Sequence, residues 1–244
     1  MKAKTKISSV LCLLAAGSAA WADDGKLTIY MGAQQIATEN YSISRAGGKI
    51  QLTGSGQANL GTLKIDIEKF SVTTDDNYQP LAAEAKATMG QMKMQDVVEF
   101  SDGKAKNQIT TGQGTNPKED AVHADALVVN ANFPLFAWST LAMRVKLDNA
   151  DPQMFNAYVL GQTEVPATVV FKGKEPVEFA AGKSDLNHFT LEFAPSATAQ
   201  PIHADVWLDD SRKLIKIAVP GQNVEAYQQG YDRKAPPPKP AEEK

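Results

Sequence analysis

"IHADVWLDDSRKLIKIAVPG", residues 202–221, decides how this chain is read. Ile202, Ala204, Val206 and Leu208 share one parity, the chain turns through "DDSRK" (209–213), and Ile215, Ile217 and Val219 return with the same alternation. Apolar side chains spaced by two on either side of a short polar turn specify an antiparallel β-hairpin with one buried face.

The same alternation recurs outward from this hairpin. In "KLTIYM" (26–31), Leu27, Ile29 and Met31 share a parity. In "LGTLKIDIEKFSV" (60–72) the apolar set runs Leu63, Ile65, Ile67 and then switches parity to Phe70 and Val72, which predicts a β-bulge near Glu68–Lys69. Asp102–Gly103 inside "VVEFSDGKAKNQIT" (97–110) is a two-residue hairpin signal. "DLNHFTLEFAP" (185–195) places Phe189, Leu191 and Phe193 on one face. "ATVVFKGKEPVEFA" (167–180) reads as a hairpin turning at Gly173–Lys174, and "TTGQGTNPKEDAVHAD" (110–125) as a mobile loop. About ten strands joined by short turns predict a mainly β protein. The expected architecture is a strongly curved antiparallel sheet, a half-barrel or near-closed barrel.

One segment breaks the period of two. In "ANFPLFAWSTLAMRVK" (131–146), Phe133, Phe136, Ala137, Thr140, Leu141 and Arg144 follow helical spacing, with Asn132 as a cap and Pro134 in the first turn. A helix apolar on nearly every side needs cover, so a short apolar helix packed on the concave face of the sheet is expected. Phe133, Phe136, Trp138, Leu141 and Met143 are the candidate ligand-binding residues, with simple core filling as the alternative.

The ends read differently. Lys2, Lys4 and Lys6 precede "ISSVLCLLAAGSAA" (7–20), and Ala20–Trp21–Ala22 is a small-x-small cleavage pattern. The apolar run is shorter than the roughly 20 residues of a spanning helix, so residues 1–22 are expected to be a signal peptide. A single curved β-sheet domain over 23–232 and a disordered Pro-rich tail over 233–244 would follow. The expected location is periplasmic or secreted, with no transmembrane segment after cleavage. Cys12, in the leader, is the only cysteine, so the mature chain is expected to lack thiol chemistry and disulfides. Cleavage would remove the three leader lysines and take the net charge from −3 to −6, which argues against nucleic acid as a partner.

Chemistry-bearing residues are sparse. His123/Asp125 and His203/Asp205 each place a metal-capable pair on one strand face, but the expectation is no metal site and no cofactor. No G-x-S-x-G elbow occurs, and Asp75–Asp76 and Asp209–Asp210 fall where aspartate serves turns. No catalytic residue and no enzyme activity are therefore expected.

The late hairpin (Val206, Trp207, Leu208, Asp209, then Leu214, Ile215, Lys216, Ile217, Val219, Pro220) and "ALVVNANFPLFAWSTLAMRV" (126–145) resemble uncharacterised secreted bacterial proteins similar to the LolA- and LolB-like lipoprotein carriers. The resemblance implies a half-barrel plugged on its concave side by helical pieces, with an apolar cavity for acyl chains. This chain shows one helical insert where the carriers have several. The expected function is binding of a hydrophobic small molecule or lipid. The alternatives are an envelope structural or assembly protein that docks another envelope protein and, less favoured, a hydrolase.

Overall fold

The computed structural model describes residues 21–130, 133–194 and 199–234. The first half is an unbroken meander: β1 (Trp21–Met31), β2 (Gln34–Ala46), β3 (Lys49–Leu60), β4 (Leu63–Asp75), β5 (Pro80–Met89), β6 (Met92–Ser101), β7 (Lys104–Thr111) and β8 (Gly114–Ala121). The second half starts with the short β9 (Leu127–Val129) and passes through the helical insert to β10 (Gln153–Val159). It continues as β11 (Glu164–Phe179), β12 (Gly182–Phe193), β13 (Ile202–Leu208), β14 (Leu214–Val219) and β15 (Val224–Gln228). β1 pairs with β15, so all 15 strands form one sheet ordered from β8 inward to β1, then from β15 outward to β9. Neighbours are antiparallel except β9 and β10, which run parallel.

The deciding hairpin is β13–β14, turned by residues 209–213. The bulge expected near Glu68 is present, with the β4–β5 register shifting between Ile67 and Lys69. Two readings are corrected. Residues 110–125 contain the end of β7 and all of β8, not a loop. Their sequence, "GTNPKEDA" in β8, shows no apolar period because the strand is mostly exposed, and it is held by its ladder and by cross-strand pairs such as Lys104–Glu119. The chain does not turn at Gly173 either. Gly173, at φ +109, sits at a bulge, and β11 runs on to Phe179 because Val177 and Phe179 bury with Leu186 against Trp207, Ile215 and Tyr227 on the second face of the sheet.

The main core lies on the opposite face and spans both meanders. The two ends of the sheet touch across it. The Tyr158 hydroxyl on β10 lies 2.9 Å from Asn107 Oδ1 on β7 and 3.1 Å from Asp120 Oδ2 on β8, its one proton shared between the two acceptors, and its ring meets Phe100 edge-on. The His123 backbone N–H donates to Glu164 Oε2 (2.7 Å). Among the described residues no strand ladder joins β8 to β9 or β10, so the sheet is open and its ends meet through side chains.

The insert is shorter than its apolar spacing suggests. It is a single 3-10 turn, Leu135–Trp138, followed by one α-helical turn, α1 (Ser139–Ala142), and every one of these residues is buried. Pro134 stands at the N-terminal cap, and Asn132 lies outside the described residues. The cap comes instead from the sheet: the fully buried Glu39 carboxylate on β2 accepts the N–H groups of Leu135 (2.9 Å) and Phe136 (3.0 Å). Burial outweighs those two bonds and pushes the Glu39 carboxyl up to about 7. Phe136 stacks on Tyr41 (ring centroids 5.6 Å apart) and meets Phe70 edge-on. Glycine makes room for this stack. Tyr41 pairs across the ladder with Gly25 and Gly54, and a Cβ on Gly54 would lie 2.5 Å from both the Asn40 carbonyl and the Phe136 ring.

Residues 1–20 and 235–244 lie outside the described residues. Trp21 and Ala22, at the end of the expected leader, open β1. Arg233 and Lys234, at the start of the expected tail, pair with Glu225 (3.3 Å) and Glu178 (2.8 Å).

Candidate binding cleft

The five sequence-derived site residues divide. Phe136, Trp138 and Leu141 are core residues, at 0%, 2% and 4% exposure. The space among Leu127, Val129, Trp138, Leu141, Leu191 and Phe193 amounts to about 10 Å³, room for a single water at most and none for a ligand. Phe133 is half-buried and packs on the main core. Met143 is also half-buried and lines an open cleft.

That cleft, of about 330 Å³, lies where α1 meets β2, β3 and β14. Its apolar wall is Ile43 on β2, Ile50 on β3, Leu214 on β14 and Met143 just after α1. Tyr41, Ser139 and Ser211 add polar side chains, and Arg45, Tyr78, Arg212, Lys213 and Asp23 complete the lining. Strand alternation explains the wall: Tyr41 and Ile43 share the inward parity of β2, and Ile50 opens the inward parity of β3.

Three features separate this cleft from the larger depressions over β11–β14, over β1–β3 with β15, and over β2–β5. The first is Ser139. Its Oγ is buried with no hydrogen-bond partner, and the residue is 2% exposed. The hydroxyl lies beside Tyr41 and favours its ionised form, but the Tyr41 O–H itself donates to Gln228 Oε1 (3.0 Å). Burial, followed by the charge of Asp23, pushes the Tyr41 phenol well above its usual range, so it stays a neutral donor.

The second feature is a pair of matching turns. In "DDNYQ" (75–79) and "DDSRK" (209–213) the first aspartate closes the loop by the same set of bonds. Asp75 Oδ1 accepts the N–H groups of Asn77 and Gln79 (both 2.8 Å), and the Asp75 carbonyl accepts that of Tyr78 (3.1 Å). Asp209 Oδ1 accepts the N–H groups of Ser211 (2.9 Å) and Lys213 (2.8 Å), and its carbonyl accepts that of Arg212 (3.0 Å). Each turn holds its fourth residue in the left-handed region, Tyr78 at φ 63 and Arg212 at φ 69. Among the described residues the other positive-φ residues that are not glycine are Asp102 and Asn223, types that tolerate the conformation; Tyr78 and Arg212 do not, and both line this cleft.

The third feature is charge. Lys213 is paired with Asp23 (2.7 Å) and Arg45 sits 3.7 Å from Asp76. Among the described residues Arg212 has no carboxylate within 4 Å, and its Nη1 reaches the Met143 carbonyl at 3.4 Å. The lining thus carries excess positive charge on a chain of net charge −3.

The metal-capable pairs are not brought together. His123 bonds to Glu164, His203 lies beside Glu192 (3.3 Å), and Asp205 bonds to His188 (2.8 Å). Among the described residues no cluster of three or more His, Cys, Asp or Glu is placed to hold a metal, and no helix is long and apolar enough to cross a membrane.

No family model matches the chain. No curated protein matches it. Among solved structures it is similar to a DUF1089 family protein from Pseudomonas aeruginosa, with 12% identity and a TM-score of 0.44, over 89% of this chain and 98% of that one. A likeness of that size transfers neither fold nor function.

Proposed function

We propose that this chain is a non-enzymatic, periplasmic or secreted binding protein that holds a hydrophobic ligand, such as a lipid or acyl chain, in the cleft beside α1. The observation that carries the reading is the cleft itself: apolar walls, a buried hydroxyl without a partner, and strained turns at its edge. The insert is then a fixed plug, clamped by Glu39 and encloses no space of its own, and the ligand sits at its flank.

The same reading takes the sheet as a strongly curved, half-barrel scaffold of the kind that lipoprotein carriers use. Chain length supports it. Residues 122–126 link the two edge strands β8 and β9 and span about 20 Å at most. The edges of a flat sheet of 15 strands would stand about 65 Å apart.

N-phenyl-1-naphthylamine, a neutral apolar fluorophore, tests the reading. The wild type is expected to take up one equivalent with enhanced emission, and Met143→Trp, which fills the cleft from a half-buried position, to abolish uptake. Absence of uptake by the wild type, or uptake unchanged in Met143→Trp, overturns it.

A further inference from the structure

Resting on that reading, we propose that the ligand is a medium-chain monocarboxylate, its tail against Ile43, Ile50, Met143 and Leu214 and its carboxylate held by the guanidinium groups of Arg212 and Arg45.

Size sets the tail. At about 30 Å³ for each water-sized group, a cleft of about 330 Å³ takes roughly ten such groups, the bulk of a single medium-length acyl chain and far less than a two-chain lipid.

Charge and geometry set the head. A guanidinium presents parallel N–H donors that match a carboxylate, and Arg212 has no acid partner among the described residues. The Asp209 turn fixes where Arg212 stands. Its neighbours Ser211 and Lys213 are both tied to Asp209 Oδ1, and the residue between them is forced left-handed. A hairpin turn of this kind folds more readily with Gly or Asn at that position, so Arg212 carries a local cost that folding alone does not explain. Tyr78 is held by the same device on the other hairpin, and Arg45 lies over its ring (6.0 Å to the centroid), which orients the second guanidinium. Two turns distant in the chain thus present an arginine and an arginine-bearing tyrosine to one cavity.

Sodium decanoate and 1-decanol separate the inference from the reading beneath it. By isothermal titration at low salt, decanoate is expected to bind the wild type at least tenfold more tightly than 1-decanol. Arg212→Gln is expected to bring decanoate down to the affinity of 1-decanol, and Arg45→Gln to do so in part. If both compounds bind the wild type equally, or Arg212→Gln leaves decanoate binding unchanged, the carboxylate assignment fails and the apolar cleft stands. If neither compound binds, both fail.

Discussion

Glu39 gives the clearest energetic test of how the insert is held. Its carboxyl is raised from 4.5 to about 7 because burial outweighs the bonds from Phe136 and Leu135. A group whose folded value lies above its unfolded value contributes stability that is complete below the unfolded value and is lost as pH rises through the folded one. Integrating that shift, Glu39 alone lowers stability by about 2.5 kcal/mol between pH 5 and pH 8. Asp96, pushed up to about 6 chiefly by burial, and His123, raised by Glu164, tilt the curve the same way. A difference measurement therefore isolates Glu39. Glu39→Gln is neutral at every pH and, like the protonated Glu39 of low pH, offers one carbonyl acceptor to the two N–H groups, so it removes only the cost of ionising a buried carboxyl as pH rises. Urea denaturation, followed by tryptophan fluorescence at intervals from pH 5 to pH 8, reads both proteins. The two proteins are expected to be similar in stability at pH 5, and the variant to gain on the wild type by about 2.5 kcal/mol by pH 8. Parallel curves over the whole range would refute the clamp as described.

Three further outcomes follow from the packing. Gly54→Ala drives a Cβ into the Asn40 carbonyl and the Phe136 ring, and by overpacking it is expected to cost about 1–3 kcal/mol in denaturant midpoint analysis. Arg212→Asn relieves a left-handed arginine and is expected to raise stability by about 1 kcal/mol, or about 2–4 °C in thermal melts, while weakening decanoate binding. Tyr158→Phe removes the hydroxyl that joins β10 to Asn107 and Asp120; it is expected to cost about 1–3 kcal/mol and to speed amide exchange in β7 and β8.

Sequence alternation made most of the sheet legible, because a strand with one buried face writes its period into its residue types. The bulge at Ile67/Lys69 and the turns at Asp102–Gly103 and 209–213 were all readable for that reason. β8 was not, since "GTNPKEDA" is mostly exposed and has no face to advertise. Gly173 was misread because a positive-φ glycine marks a bulge as readily as a turn, and only the burial of Val177 and Phe179 tells them apart. Of the candidate site residues, Phe136, Trp138 and Leu141 carry apolar character that fits core and pocket equally, and Met143 lines the cleft. The cleft walls come from β2, β3, α1 and β14, far apart in the chain, so no local pattern groups them. The sequence does carry one signal: "DDNYQ" and "DDSRK" share a spacing, and each has a bulky residue at its fourth position.

Methionine methyl spectra test the central claim most directly. The chain carries seven methionines, and among the described residues Met143 alone lines this cleft. With methyl-labelled protein titrated with 1-decanol, the Met143 resonance is expected to shift to saturation while Met31, Met89, Met92, Met94 and Met154 stay in place. A titration that leaves Met143 unmoved, or that shifts the Met89–Met94 group instead, would contradict a ligand site beside the insert.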